Sequence, residues 1–226
     1  MNNKEKYIQA AKDTIKKLFD VDIEVEFVQE ADAPRRKAEL AKQYGRKLDD
    51  FGSGLFMPAD NGHPSIILVG YSDEHVGWID IFHHELQHAI DWFQITKALG
   101  KQPPHFKVYT EFNASRNGTL YHLMAELGAA RTQAERKEVV GFYKPQLVKR
   151  FQSIKRLTII DVVAYLARVS VFAEIEGGMD AALLALIPQR DVFLELGNFM
   201  NRYEPTEKWY NEFKEKVDGL TIKEAK

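Results

Sequence analysis

Residues 83–88 read His-His-Glu-Leu-Gln-His, so that His84, Glu85 and His88 stand in the pattern H-E-x-x-H. On a helix, positions i and i+4 project on the same side, and both imidazoles can reach one ion. Glu85 follows about 100° round the helix, where it can act as general base on a water that the ion activates without ligating the ion itself. Two neutral imidazoles, a carboxylate base and an open coordination position are what a zinc hydrolase needs. The chain holds no cysteine. Disulfides, a cysteine nucleophile, iron–sulfur clusters and thiolate zinc sites are thereby excluded, and any metal must be held by His, Asp or Glu.

Zinc calls for a third protein ligand. Glu111 is the first candidate, in Tyr109-Thr110-Glu111-Phe112-Asn113-Ala114-Ser115-Arg116, 23 residues after His88. That separation lets a loop turn and bring a second helix alongside the first. Ala114, Gly118, His122 and Ala125 continue the face of Glu111, and the small ones allow close approach. Glu126 is the alternative, because Glu126-x-x-Ala129 repeats the spacing of Glu111-x-x-Ala114. His122 and His105 are weaker candidates. Asp91 lies on the same helix face as His84 and His88 (i, i+4, i+7) and is placed to orient an imidazole through its free N–H, or to serve as a plain solvated acid.

These groups need elements to position them. Ile79, Phe82, Leu86, Ala89, Ile90 and Phe93 form an apolar stripe opposite His84 and His88, so the pattern predicts a helix over 73–99 with its histidines turned away from the core. Gly100 and Pro103-Pro104 end it. Upstream, the periodicity predicts a helix over 3–19, a half-buried strand at 23–27, a helix over 33–48 broken by Gly52-Ser53-Gly54, and a hairpin of strands 55–57 and 65–69 about an Asp60-Asn61-Gly62 turn. Downstream, helices are expected near 109–137, 145–151, 158–175, 179–186, 189–202 and 206–217. The expected fold is α+β, with a small, mostly antiparallel sheet on helices over residues 1–135 and an all-helical extension over 136–226 that packs on that core.

With 226 residues and 45% apolar content, the chain is long enough to bury a real core. The formal net charge is −2, which provides no global field for nucleic acid or an anionic membrane. The most apolar stretch, Leu157 to Ile175, is interrupted by Asp161, Arg168 and Glu174, short of the roughly 18 uncharged residues of a span. No apolar signal core opens the chain, so a cytoplasmic location is expected. The basic cluster Arg35-Arg36-Lys37 with Arg46-Lys47, diluted by Glu39, Asp49 and Asp50, reads as a solvated helix face. Trp78, Trp92 and Trp209 read as packing residues, and Glu174 to Gly178 as a glycine-capped helix end.

On His84-Glu85-x-x-His88 and Glu111-x-x-Ala114, residues 20–130 resemble the zincin-like metallopeptidases of gluzincin type, most closely the ImmA/IrrE-like group of small intracellular and phage-associated metallopeptidases. In thermolysin-like gluzincins an Asp follows the ligand Glu by four residues, where this chain has Ser115. The resemblance implies a zinc cofactor, His84, His88 and Glu111 as ligands, Glu85 as base, and hydrolysis of a peptide or protein substrate. An oxyanion donor would come from Tyr109, His105, Arg116, Tyr121 or His122, and an extended substrate would add to the hairpin edge at Gly54–Met57. Two alternatives keep less of this: a zincin fold used as a regulatory or binding module without turnover, and a helical interaction protein in which the H-E-x-x-H is accidental.

Overall fold

The structure, a computed structural model, describes residues 3–47, 53–60, 62–74, 77–130 and 132–220. Asp49, Asp50, Gly52 and Asn61 lie outside them. The fold is α+β. Helix α1 (Asn3–Phe19) leads to strand β1 (Ile23–Gln29), helix α2 (Ala33–Gln43), and strands β2 (Gly54–Met57) and β3 (Ser65–Tyr71). Helices then follow to the end of the described chain: α3 (Trp78–Leu99), α4 (Phe106–Ala129), α5 (Gln133–Gln152), α6 (Ile159–Glu176), α7 (Ala181–Leu184), α8 (Arg190–Met200) and α9 (Glu207–Asp218). None of them is long and apolar enough to cross a membrane.

The sheet has the order β1-β3-β2. It is mixed rather than mostly antiparallel: β2 and β3 form the expected antiparallel hairpin (Leu55 opposite Leu68), whereas β1 lies parallel to β3 (Val25 opposite Ile67). A parallel pair needs a crossover, and α2 with β2 supplies it. Strand β3 is central and buried on both faces, which explains its unbroken apolar run. Ile67 and Val69 pack with Ala11, Ile15, Phe82 and Ala89 of α1 and α3. Ile66 and Leu68 turn the other way, against Leu40, Ala41 and Tyr44 of the α2 segment. The sheet is thus a middle layer, and α3 rests on one face of it through the predicted apolar stripe.

Several helix boundaries differ from the sequence reading. Helix α2 ends at Gln43 rather than at 48, because Gly45 turns the chain with φ 64° and the Arg46 N–H closes on the Ala41 carbonyl, α3 begins at Trp78 rather than at 73, and α7 is shorter than the expected 179–186. The chain over 109–151 forms two helices, α4 ending at Ala129 and α5 beginning at Gln133. The cause is a capping box at Thr132, whose hydroxyl accepts from the Glu135 N–H while Glu135 accepts from the Thr132 N–H. Pro145 does not begin a helix but sits inside α5. Helix α4 is apolar on more than one side. One face meets α3; another, with Tyr109 and Phe112, joins Leu166 of α6, Phe193 and Leu196 of α8, and Trp209 and Phe213 of α9 in one buried cluster.

Candidate metal centre

Helices α3 and α4 run side by side, and their closest passage is at Gly118. A Cβ there would stand 2.7 Å from the Asp80 backbone oxygen and 3.3 Å from the His84 Cβ. Ala114, one turn earlier, is fully buried. The small residues of α4 therefore do bring it against the histidine face of α3, although Ala125 is exposed.

That approach gathers His84, His88 and Glu111. One ligand atom from each lies within 4.8 Å of the other two. His84 Nε2 and His88 Nε2 are 3.0 Å apart, and they stand 3.6 and 3.7 Å from the two Glu111 carboxylate oxygens. A tetrahedral ion with arms of about 2.0–2.1 Å would space its ligand atoms by about 3.4 Å, so the three side chains fit such an ion.

The tautomers fit as well. His88 Nδ1 donates to Thr110 Oγ1 at 2.8 Å, and Thr110 in turn donates to Asp91 Oδ2 at 2.9 Å. The His84 ring donates to the Ala114 backbone carbonyl; with Nε2 turned toward His88, that donor is Nδ1. Both Nε2 atoms then present lone pairs to each other and to a carboxylate, an arrangement that a bound cation relieves. Burial, with Arg168 and Arg150 nearby, pushes the His84 imidazole down to about 3, keeping it neutral.

Asp91 does not touch a histidine directly. It acts on His88 through Thr110, and it also receives Gln87 Nε2 at 2.7 Å and Asn113 Nδ2 at 3.4 Å. Asn117 extends this chain by donating to Gln87 at 2.6 Å. Burial pushes the Asp91 carboxyl up to about 7, against the hydrogen bonds from Gln87, Thr110 and Asn113. Sequence reasoning missed Thr110, Gln87, Asn113 and Asn117. The signal was the i, i+4 spacing of Gln87 and Asp91, and of Asn113 and Asn117.

Glu85 is buried, 6% exposed, and with His88, Thr110 and Glu111 it lines a cleft of about 370 Å³. Leu55, Phe56 and Met57 of β2 line the same cleft, together with Trp92 and Phe106. The Glu85 carboxylate lies directly on β2: a Cβ at Gly54 would stand 2.5 Å from its Oε1. Arg46, Lys47, Gln102 and Lys107 also line the cleft. The Arg46-Lys47 half of the basic cluster therefore borders the site. Of the other half, Arg36 is paired with Glu26 at 2.8 Å and Lys37 is buried.

The remaining candidates lie elsewhere. Glu126 is 15 residues beyond Glu111, about four turns along α4, where it hydrogen-bonds Tyr143; it has no part in the cluster. Tyr109 is a core residue stacked on Tyr203, because its position on α4 faces α8 and α9. Arg116 pairs with Glu174. His105 pairs with Asp218 at 2.6 Å. Tyr121 stacks on His83 with ring centroids 3.8 Å apart, on the flank of α3. His122 is buried beside Tyr143.

No family model matches the chain, and no curated protein and no solved structure is significantly similar to it. Its functional reading rests on the site.

Proposed function

We propose that the protein is a zinc-dependent metallopeptidase of gluzincin type, with zincin-like architecture, acting inside the cell on a peptide or protein. The observation that carries this reading is the convergence of His84 and His88 from α3 with Glu111 from α4, with Glu85 buried beside them in a cleft. The ligand set of two imidazoles and one carboxylate, without thiolates, suits zinc with one position left for substrate or water. When bound, zinc supplies a Lewis acid and lowers the pKa of a coordinated water toward neutrality.

The chain's own groups do the rest. Glu85, lining the same cleft as His88 and Glu111, would take a proton from the attacking water and deliver it to the leaving amine. Thr110 and Asp91 lock the His88 ring. Strand β2 is an edge of the sheet, and an extended substrate laid along it would pass over Glu85. A developing oxyanion would need a donor from the cleft, whose lining offers Lys107 and Gln102.

The test is direct. Purified protein should carry about one zinc per chain, and Glu85→Gln should abolish cleavage of a sensitive peptide library while retaining the metal. Zinc content below about a tenth per chain after expression with zinc would defeat the reading. Full metal with no cleavage of any peptide would favour a binding module instead.

A further inference from the structure

The larger cavity beside the metal-ligand cluster is not the one that holds Glu85. It measures about 600 Å³ and lies between the first turn of α3, α4, α5 and α6. Its wall carries Lys149, Arg150 and Arg168 against a single carboxylate, Asp80. Arg168 is committed within the wall, donating to Asp80 Oδ2 and to Thr119 Oγ1, each at 3.1 Å. Lys149 and Arg150 are exposed at its rim and have no carboxylate partner among the described residues. A second feature of the same wall is His122. It is 8% exposed, and neither ring nitrogen meets a hydrogen-bond partner among the described residues, a condition buried polar groups rarely tolerate without a ligand or water.

The cavity reaches α3 one helical turn before the metal-ligand cluster, whose three residues do not line it. Asp80, His84 and His88 stand at i, i+4 and i+8 on one face of α3, so Asp80 is about 6 Å along the axis from His84. Gly118 of α4 packs on both. Arg150 and Arg168 reach His84 electrostatically. Lys47 and Lys107 flank the other opening, although the whole chain is net −2. A low-dielectric cleft focuses the field of such charges.

We propose that this cavity is a subsite for a substrate carboxylate, so that the enzyme acts on acidic peptides. The proposal rests on the peptidase reading for the word substrate, but its recognition chemistry does not depend on the metal. With Arg168 neutralised by Asp80, Arg150 provides a planar fork that matches a carboxylate, and Lys149 adds a second positive charge. The carboxylate is either a Glu or Asp side chain or the free C-terminus of the peptide.

The experiment measures binding rather than turnover. Full-length Glu85→Gln protein, with zinc added, is titrated by fluorescence anisotropy with peptides identical except for Glu or Gln at each position in turn, and with free or amidated C-termini. At least one acidic position, or the free C-terminus, should bind about tenfold tighter than its neutral isostere, and the preference should shrink as salt is raised. Arg150→Gln should reduce that ratio toward one, Arg150→Lys should restore part of it, and Arg150→Glu should favour Lys-containing peptides. Equal binding of acidic and neutral peptides, or no binding of either, overturns the proposal, as does a preference that survives both Arg150→Gln and Lys149→Gln. Zinc content and wild-type cleavage, measured on the same preparation, report separately on the peptidase reading.

Discussion

Gly118→Ala probes the passage on which the proposed metal centre depends. The new Cβ would lie against the Asp80 carboxylate, which can swing away, and 2.7 Å from the Asp80 backbone oxygen, which cannot. An ordinary contact requires about 3.4 Å, so α3 and α4 must separate by roughly 0.7 Å there. His84 and His88 ride on one helix and Glu111 on the other, while metal–ligand distances tolerate only about ±0.2 Å. Flexing of the Glu111 side chain recovers part of the gap. The expected loss of zinc affinity is therefore about 10–100-fold, as when an orienting hydrogen bond of a ligand is removed. Overpacking costs about 1–3 kcal/mol, and Ala in place of Gly inside a helix returns about 1 kcal/mol. The net cost of about 0–2 kcal/mol corresponds to a metal-free Tm unchanged or lowered by up to roughly 8 °C for a chain of this length. Chelator competition reads the affinity, and calorimetry without zinc reads the Tm. Helix propensity acting alone would raise the metal-free Tm and leave zinc affinity at the parent value; that pair of results would refute the packing argument.

Three further substitutions separate the roles within the site. Gly54→Ala places a Cβ 2.5 Å from Glu85 Oε1 and 2.6 Å from Ile81 Cγ2; displacing the base should cut kcat by about 10²-fold while zinc stoichiometry is kept, as measured by peptide hydrolysis and elemental analysis. Glu111→Gln should strip the chain of stoichiometric zinc, whereas Glu126→Gln, four turns away, should leave the metal content unchanged; equal losses would mean that the cluster is not the ligand set. Thr110→Val removes the acceptor of His88 Nδ1 and should weaken zinc by about 10–100-fold in chelator competition, with little change in fold by circular dichroism.

The parts of this site that were legible in sequence are those fixed by one helix. The 3.6-residue period alone puts His84 and His88 on a common side with Glu85 between them, and the apolar stripe from Ile79 to Phe93 says which side faces the sheet. Glu111 was legible at one remove, because Ala114 and Gly118 announce a helix that can lie close. Strand pairing was less so. The alternation of Ile23, Val25 and Phe27 marks a half-buried strand, but not that β1 runs parallel to β3, since direction is set by the crossover through α2 rather than by any residue of the strand. Thr110 was passed over because an uncharged hydroxyl gives no sign of its partners until α3 and α4 are docked. Arg150 and Arg168 were beyond reach for the same reason: they come within range of His84 only when α5 and α6 pack on α4.

That last point bears on how the two halves of the chain work together. Helix α4 carries Thr110 and Glu111 toward α3, and on its other side buries Tyr109 and Phe112 among residues of α6, α8 and α9. A ligand helix held from one side only would be free to drift by the few tenths of an ångström that a metal centre does not tolerate. The C-terminal helices fix α4 from behind, so their apolar surface is spent on positioning Glu111 as well as on stability. The same packing brings Arg150 and Arg168 to the flank of His84. Residues far from the H-E-x-x-H motif thus hold Glu111 beside it and set the charge around His84.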